Sequence, residues 1–169
     1  SVRHAVISGI LPAPGAGPLV FGLVKGEAGD RAAPASAAPV EASPAALARA
    51  GLTANVKIAI GDKHYGASLE RLLAQGKPAS WLKGPVAHEW HVSAPLADRN
   101  GSEHPHLAAR FAVRWYPGLE RARVDVTIEN NWAYEPAPQN FTYDAEIEVG
   151  GKTVYRKEKL THYHHARWR

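Results

Sequence analysis

Four stretches of the chain alternate apolar and polar residues with a period of two. They hold Val56, Ile58 and Ile60; Leu107, Ala109, Phe111, Val113 and Trp115; Val124, Val126 and Ile128; and Phe141, Tyr143, Ala145, Ile147 and Val149. Successive side chains of a strand point to opposite faces, so this period predicts strands with one buried and one wet face. The wet faces carry both signs of charge, Arg110 and Arg114 on one and Asp125, Glu129, Asp144, Glu146 and Glu148 on others. Cross-strand pairing favours that arrangement, and its expected role is solubility rather than catalysis.

The punctuation between these stretches is short. Gly150-Gly151 supplies the positive φ angles of a two-residue hairpin and predicts Ile147 opposite Val154 on the core face. Tyr116-Pro117-Gly118 and Asp98-Arg99-Asn100-Gly101 are turns by the same backbone logic. With no room for helical crossovers, the expected fold is all-β, an antiparallel β-sandwich or barrel with one or two short accessory helices. One helix is expected over residues 43–51, with Ser43 as N-cap, Pro44 at the first turn and Gly51 at the stop. A second is expected over residues 68–76, where Leu69, Leu72 and Leu73 share a face and Gly76 ends it. Between Ala28 and Gly51 the chain is rich in Ala and Pro, which predicts a long surface loop carrying the first of these helices.

At 169 residues the chain suits one domain with a sizeable core. Val2 to Ser8 and Leu160 to Arg169 both read as strands at the ends of the sequence, so the expectation is one β-rich module, residues 1–169, cut from a larger extracellular, periplasmic or virion protein. The 20 Lys and Arg against 16 Asp and Glu give +4, scattered without a basic run, so nucleic acid is not an expected partner. No stretch approaches the roughly 20 apolar residues of a membrane-spanning helix. The absence of Cys excludes disulfides, thiolate catalysis and Cys-ligated metal sites.

Candidate chemistry gathers on nine histidines. His162 and His164 would project to one face of a strand, and His104-Pro105-His106 would add imidazoles from a loop, with Glu89 and Glu103 as further donors. A divalent metal such as zinc or calcium is the chemistry this pattern suggests. The competing expectation is no cofactor, with the histidines acting as hydrogen-bonding or interface residues. His162, Tyr163, His164 and Arg167 also contain the residue types of a polysaccharide lyase, a base beside a cation that neutralises a uronate. Among the aromatic residues, Trp115 belongs on a core face, whereas Trp132 and Tyr134 border a Pro-rich loop and are the candidate platforms for sugar rings. There is no Gly-rich phosphate loop, no Gly-x-Ser-x-Gly elbow and no His-Glu-x-x-His helix.

Four segments together carry a family likeness: Ser1 to Val6, Trp81-Leu82-Lys83-Gly84-Pro85-Val86, Val124 to Trp132, and His162-Tyr163-His164-His165-Ala166-Arg167-Trp168. Taken together, they resemble the N-terminal β-region of exo-rhamnogalacturonan lyase-like proteins, a type of region also found in bacteriophage structural proteins. In that family a β-barrel and β-sandwich precede a helical toroid that holds most of the catalytic machinery, so the resemblance implies an accessory role and carries no catalytic residue onto this chain. The leading expectation is a non-catalytic structural or carbohydrate-associated β-module of a larger assembly, such as a phage tail or virion component. It would contact other subunits or domains of its parent protein and polysaccharide. The alternative is the β-domain of a polysaccharide lyase or glycoside hydrolase with a His-based metal or acid/base site.

Overall fold

A computed structural model describes residues 43–75, 78–84, 86–132 and 134–168. The expected strand at Val2 to Ser8, most of the Ala/Pro-rich loop, Gly76 and Arg169 lie outside the described residues. Within them the elements run α1 (Pro44–Arg49), β1 (Ala54–Ile60), β2 (Lys63–Ser68), α2 (Leu69–Gln75), β3 (Ala79–Lys83), β4 (His88–Ala97), β5 (Glu103–Tyr116), β6 (Arg121–Asn130), β7 (Phe141–Val149), β8 (Lys152–His162) and β9 (Ala166–Trp168).

All pairings among these strands are antiparallel, in the order β8-β7-β1-β2-β4-β5-β6-β9, with β3 added to β4. The two ends of that order come back together, where Tyr155 of β8 meets Trp168 of β9 with ring centroids 4.7 Å apart. The sheet is therefore a nearly closed barrel, and the fold is the all-β one the alternation predicts.

The inward residues are those of the period-two stretches. Val56 and Ile58 of β1, Leu107, Ala109, Phe111 and Val113 of β5, Ile128 of β6, and Tyr143 and Ala145 of β7 form one buried cluster with Trp90, Val92 and Leu96 of β4. Trp115 packs half-buried against it. Both helices form as the sequence indicates. Ser43 caps α1 through its hydroxyl, which accepts the Ala46 N–H at 3.1 Å, and Pro44 opens the first turn. Leu47 of α1 and Leu69 and Leu73 of α2 join the core cluster and plug one end of the barrel.

The Gly150-Gly151 turn forms with φ of 58° and 75°, as expected. The register beyond it differs from the expected one. Val149 faces Lys152 and Glu148 faces Thr153, but a bulge follows and Ile147 faces Tyr155 instead of Val154. An extra residue in one strand reverses the parity of everything after it. Val154 is consequently 60% exposed, and Tyr155 is turned toward Trp168.

The β2–β4 join is the thinnest place in the sheet. It consists of a single residue pair, Gly66 with Ala97. A Cβ at Gly66 would stand 2.7 Å from the Val56 carbonyl oxygen on β1, closer than any carbon tolerates against rigid backbone. Gly66→Ala is therefore expected to push β2 off β1 at the same point that holds β2 to β4. The expected loss is about 1–3 kcal/mol, the usual cost of overpacking, read as a lower urea midpoint with an unchanged slope.

Candidate functional site

Antiparallel pairing brings the end of β1, the starts of β2, β5, β7 and β9, and the ends of β4, β6 and β8 to the barrel end opposite the helices. His104, His106, His162 and His164 all sit at that end, as do Trp132 and Tyr134 on the β6–β7 connection. The histidines and aromatics nominated from sequence thus share one end of the molecule, whereas Glu89, near the start of β4, lies toward the other.

His104 and His106 are not on a loop. They belong to β5, in a wide bulge where residues 104–107 lie between the Glu103–Ala97 and Ala108–Pro95 pairs, opposite Leu96 alone. The His104 Nδ1 accepts the N–H groups of His106 and Leu107, each at 3.1 Å, and so braces the bulge. An accepting Nδ1 is unprotonated, which leaves the proton on Nε2. Burial, with smaller electrostatic contributions from His106 and Lys63, lowers the His104 pKa to about 4. Its ring is wedged edge-on between Tyr65, at 5.0 Å, and Phe141, at 4.9 Å.

His162 is the last residue of β8 and is 3% exposed. Its Nε2 lies 3.0 Å from the Ala166 carbonyl oxygen, which can only accept, so Nε2 carries the proton. Its Nδ1 then accepts the Tyr143 hydroxyl at 2.8 Å. Burial lowers its pKa, and the same burial raises that of Tyr143. Both nitrogens of His162 are spent on holding β8 to β7 and to the turn into β9.

His164 does not share a strand face with His162, because β8 ends at His162. It lies in the turn, its N–H donating to Asn140 Oδ1 at 2.8 Å and its ring against His165 at 3.9 Å. That turn is set by His165, whose φ of 60° reverses the chain and whose N–H donates to the Asn130 carbonyl at 2.7 Å. Among the described residues no group of three or more His, Asp or Glu is disposed to hold a metal ion. Glu89, one of the acids expected to complete a metal set, instead bonds His91 and Arg114, and Arg167 is bound to Glu129 at 3.1 Å. The His106 Nδ1, Asn130 Oδ1 and His164 Nδ1 are buried at this end with no hydrogen-bond partner among the described residues.

Trp132 and Tyr134 are both exposed, Tyr134 completely. No ring stacks on either among the described residues. A third aromatic, not singled out from sequence, is placed differently. Trp81 is the extra residue of a bulge in β3, between the Ser80–Trp90 and Leu82–Glu89 pairs. Bulges re-aim side chains, and this one lays the indole on the outer face of the sheet. There it stacks on His91 of β4, with centroids 5.0 Å apart and planes within 13°, while remaining 72% exposed. The His91 Nε2 is 2.8 Å from Glu89 Oε1, and Glu89 Oε2 holds the Arg114 guanidinium. Burial acts to raise the Glu89 pKa, but the bonds from His91 and Arg114 outweigh it and hold the carboxyl ionised. Glu89 and His91 share a strand parity, the one signal in the sequence that they act together on the wet face.

A second concavity, an open groove of about 1010 Å³, crosses the outer sides of β1, β2, β7 and β8 under Arg71 and the turn at residues 98–101. Lys57 and Arg156 in its floor are already paired with Glu146. It carries mixed charge from both strands and loops.

No family model, no curated protein and no solved structure matches the chain. The chemistry of the histidine end can be tested on its own terms. Tyr143→Phe removes the donor to a buried imidazole nitrogen without removing the ring, so it is expected to cost about 1–3 kcal/mol in urea unfolding, the penalty for an orphaned buried acceptor.

Proposed function

We propose that this chain is a non-catalytic, carbohydrate-associated β-module of a larger assembly, and that its glycan contact is the outer face carrying Trp81. The observation that carries the reading is the indole itself, 72% exposed yet fixed flat by stacking on His91. Burial usually holds a tryptophan ring rigid; here a second ring does so and leaves one apolar face open. A pyranose presents a matching apolar face to such a surface. Arg114 of β5, oriented by Glu89 opposite it on β4 on the same outer face, supplies directed N–H donors for ring hydroxyls.

The commitments of His91, His104 and His162 to intramolecular bonds support the non-catalytic part of the reading. A base already holding the fold together is poorly placed to take a substrate proton. The resemblance to the accessory β-region of exo-rhamnogalacturonan lyase-like and phage structural proteins fits the same role. Trp132 and Tyr134 remain secondary contacts in this proposal, for glycan or for neighbouring subunits.

Affinity electrophoresis through gels containing a panel of neutral and acidic polysaccharides tests it. At least one is expected to retard the protein. Trp81→Ala should weaken that retardation about tenfold, equivalent to about 1.4 kcal/mol for a lost stacking face. Trp132→Ala and Tyr134→Ala should change it less. Free migration of the unaltered protein through every gel, or equal retardation of Trp81→Ala, would sink the proposal.

A further inference from the structure

Two buried imidazoles act as acceptors at the same end of the barrel. His104 takes the N–H groups of His106 and Leu107 and thereby fixes the β5 bulge. His162 joins Tyr143 of β7 to Ala166 at the start of β9, across the turn at residues 163–165. Phe141 lies between the two segments, in ring contact with His104 and His106 and paired with His162.

An imidazole that accepts through Nδ1 loses that bond on protonation, because both nitrogens then donate. At His104 the new N–H would point at two backbone N–H groups, with nothing to accept it. At His162 the new N–H can donate to the Tyr143 hydroxyl oxygen once that hydroxyl turns its own proton away, and the Nε2–H bond to the Ala166 carbonyl is untouched, so this joint holds in acid. We propose that His104 is an acid-released latch: a proton on its Nδ1 breaks both bonds to the His106 and Leu107 N–H groups and frees the His104–Leu107 bulge at this end of the barrel.

The surroundings favour release over accommodation. Facing His104 are Lys63 and Tyr65 of β2, His106 of its own strand and the apolar Phe141 of β7. Among the described residues these neighbours include no carboxylate to stabilise an imidazolium in place. Freeing the bulge would further expose Phe141, whose ring packs edge-on against His104, at the end where Trp132, Tyr134 and Tyr163 are already exposed.

The direction follows from linkage. The folded pKa of His104 lies near 4 and the ordinary value is 6.5, so the closed state is favoured above pH 6.5 and loses ground as pH falls toward 4. Amide hydrogen exchange by NMR, corrected for the intrinsic rate, tests it on the full chain. The protection factors of the His106 and Leu107 amides are expected to fall roughly 50-fold between pH 7.5 and pH 4.5, while those of Val56 and Phe111 hold. His104→Asn supplies an amide oxygen that can accept the same two N–H groups and does not titrate, so it should keep their protection at pH 4.5. Protection unchanged down to pH 4.5, or a loss as large in His104→Asn, would overturn the latch. Should that variant fail to fold, imidazole resonances of the unaltered protein decide the matter. His104 titrating together with the amide loss supports the proposal; its ring titrating with the His106 and Leu107 amides still protected refutes it.

Discussion

In a closed barrel every strand has two ladder neighbours, and here β2 gets its second through a single residue pair, Gly66 and Ala97. That seam divides the sheet. The β8-β7-β1-β2 and β3-β4-β5-β6-β9 portions are each joined by ladders of several residue pairs, bulges included, so cohesion between the portions must come from elsewhere. α2 follows β2 directly and sends Leu69 and Leu73 into the core cluster, with Leu47 of α1 beside them. Apolar burial is non-directional, so leucines can tie the two portions together where the ladder cannot. On the far side, Tyr155 against Trp168 does the same with two rings.

Among the described residues the opposite end has no helix to plug it, and its solution is polar. Asn130, fully buried, donates to the carbonyls of Gln139 and His162, while His162 and His104 bind strand ends and bulge. In a low-dielectric setting such bonds are stronger than in water, and an unsatisfied partner is more costly. The two ends of the barrel are therefore held by different forces. Leucines close one by apolar burial, whereas at the other the Nδ1 atoms of His104 and His162 accept hydrogen bonds in the neutral state that burial favours.

Much of this was legible in the sequence, and what was not shares one cause. The period-two alternation located the inward residues of β1, β5, β6 and β7, and the capping residues located α1. Three bulges account for the misplaced residues. One in β8 moved Val154 to solvent and Tyr155 inward; one in β5 buried His104 and His106 within a strand; one in β3 turned Trp81 to the outer face. A bulge adds one or more residues to one strand only, and it is specified by the pairing of two strands, not by either alone. Alternation read along a single strand carries no trace of it. His164 failed for a related reason: the positive φ of His165 ends β8 two residues earlier than the His-x-His pattern requires.

The same reasoning separates Trp132 and Tyr134, the aromatic candidates the sequence indicated, from Trp81, which it did not single out. Trp132 and Tyr134 are exposed on a connection, where rotamer freedom must be given up when a ligand arrives. Trp81 has already given up that freedom, because His91 lies beneath it and Glu89 and Arg114 hold His91 from the other side. Ordering a rotamer-rich side chain at an interface costs about 0.5–1.5 kcal/mol, comparable with what one stacked ring returns. A preorganised indole keeps that return and a mobile one surrenders most of it. Exposure alone therefore does not rank these residues; what lies beneath each ring does, and only Trp81 has a ring beneath it among the described residues.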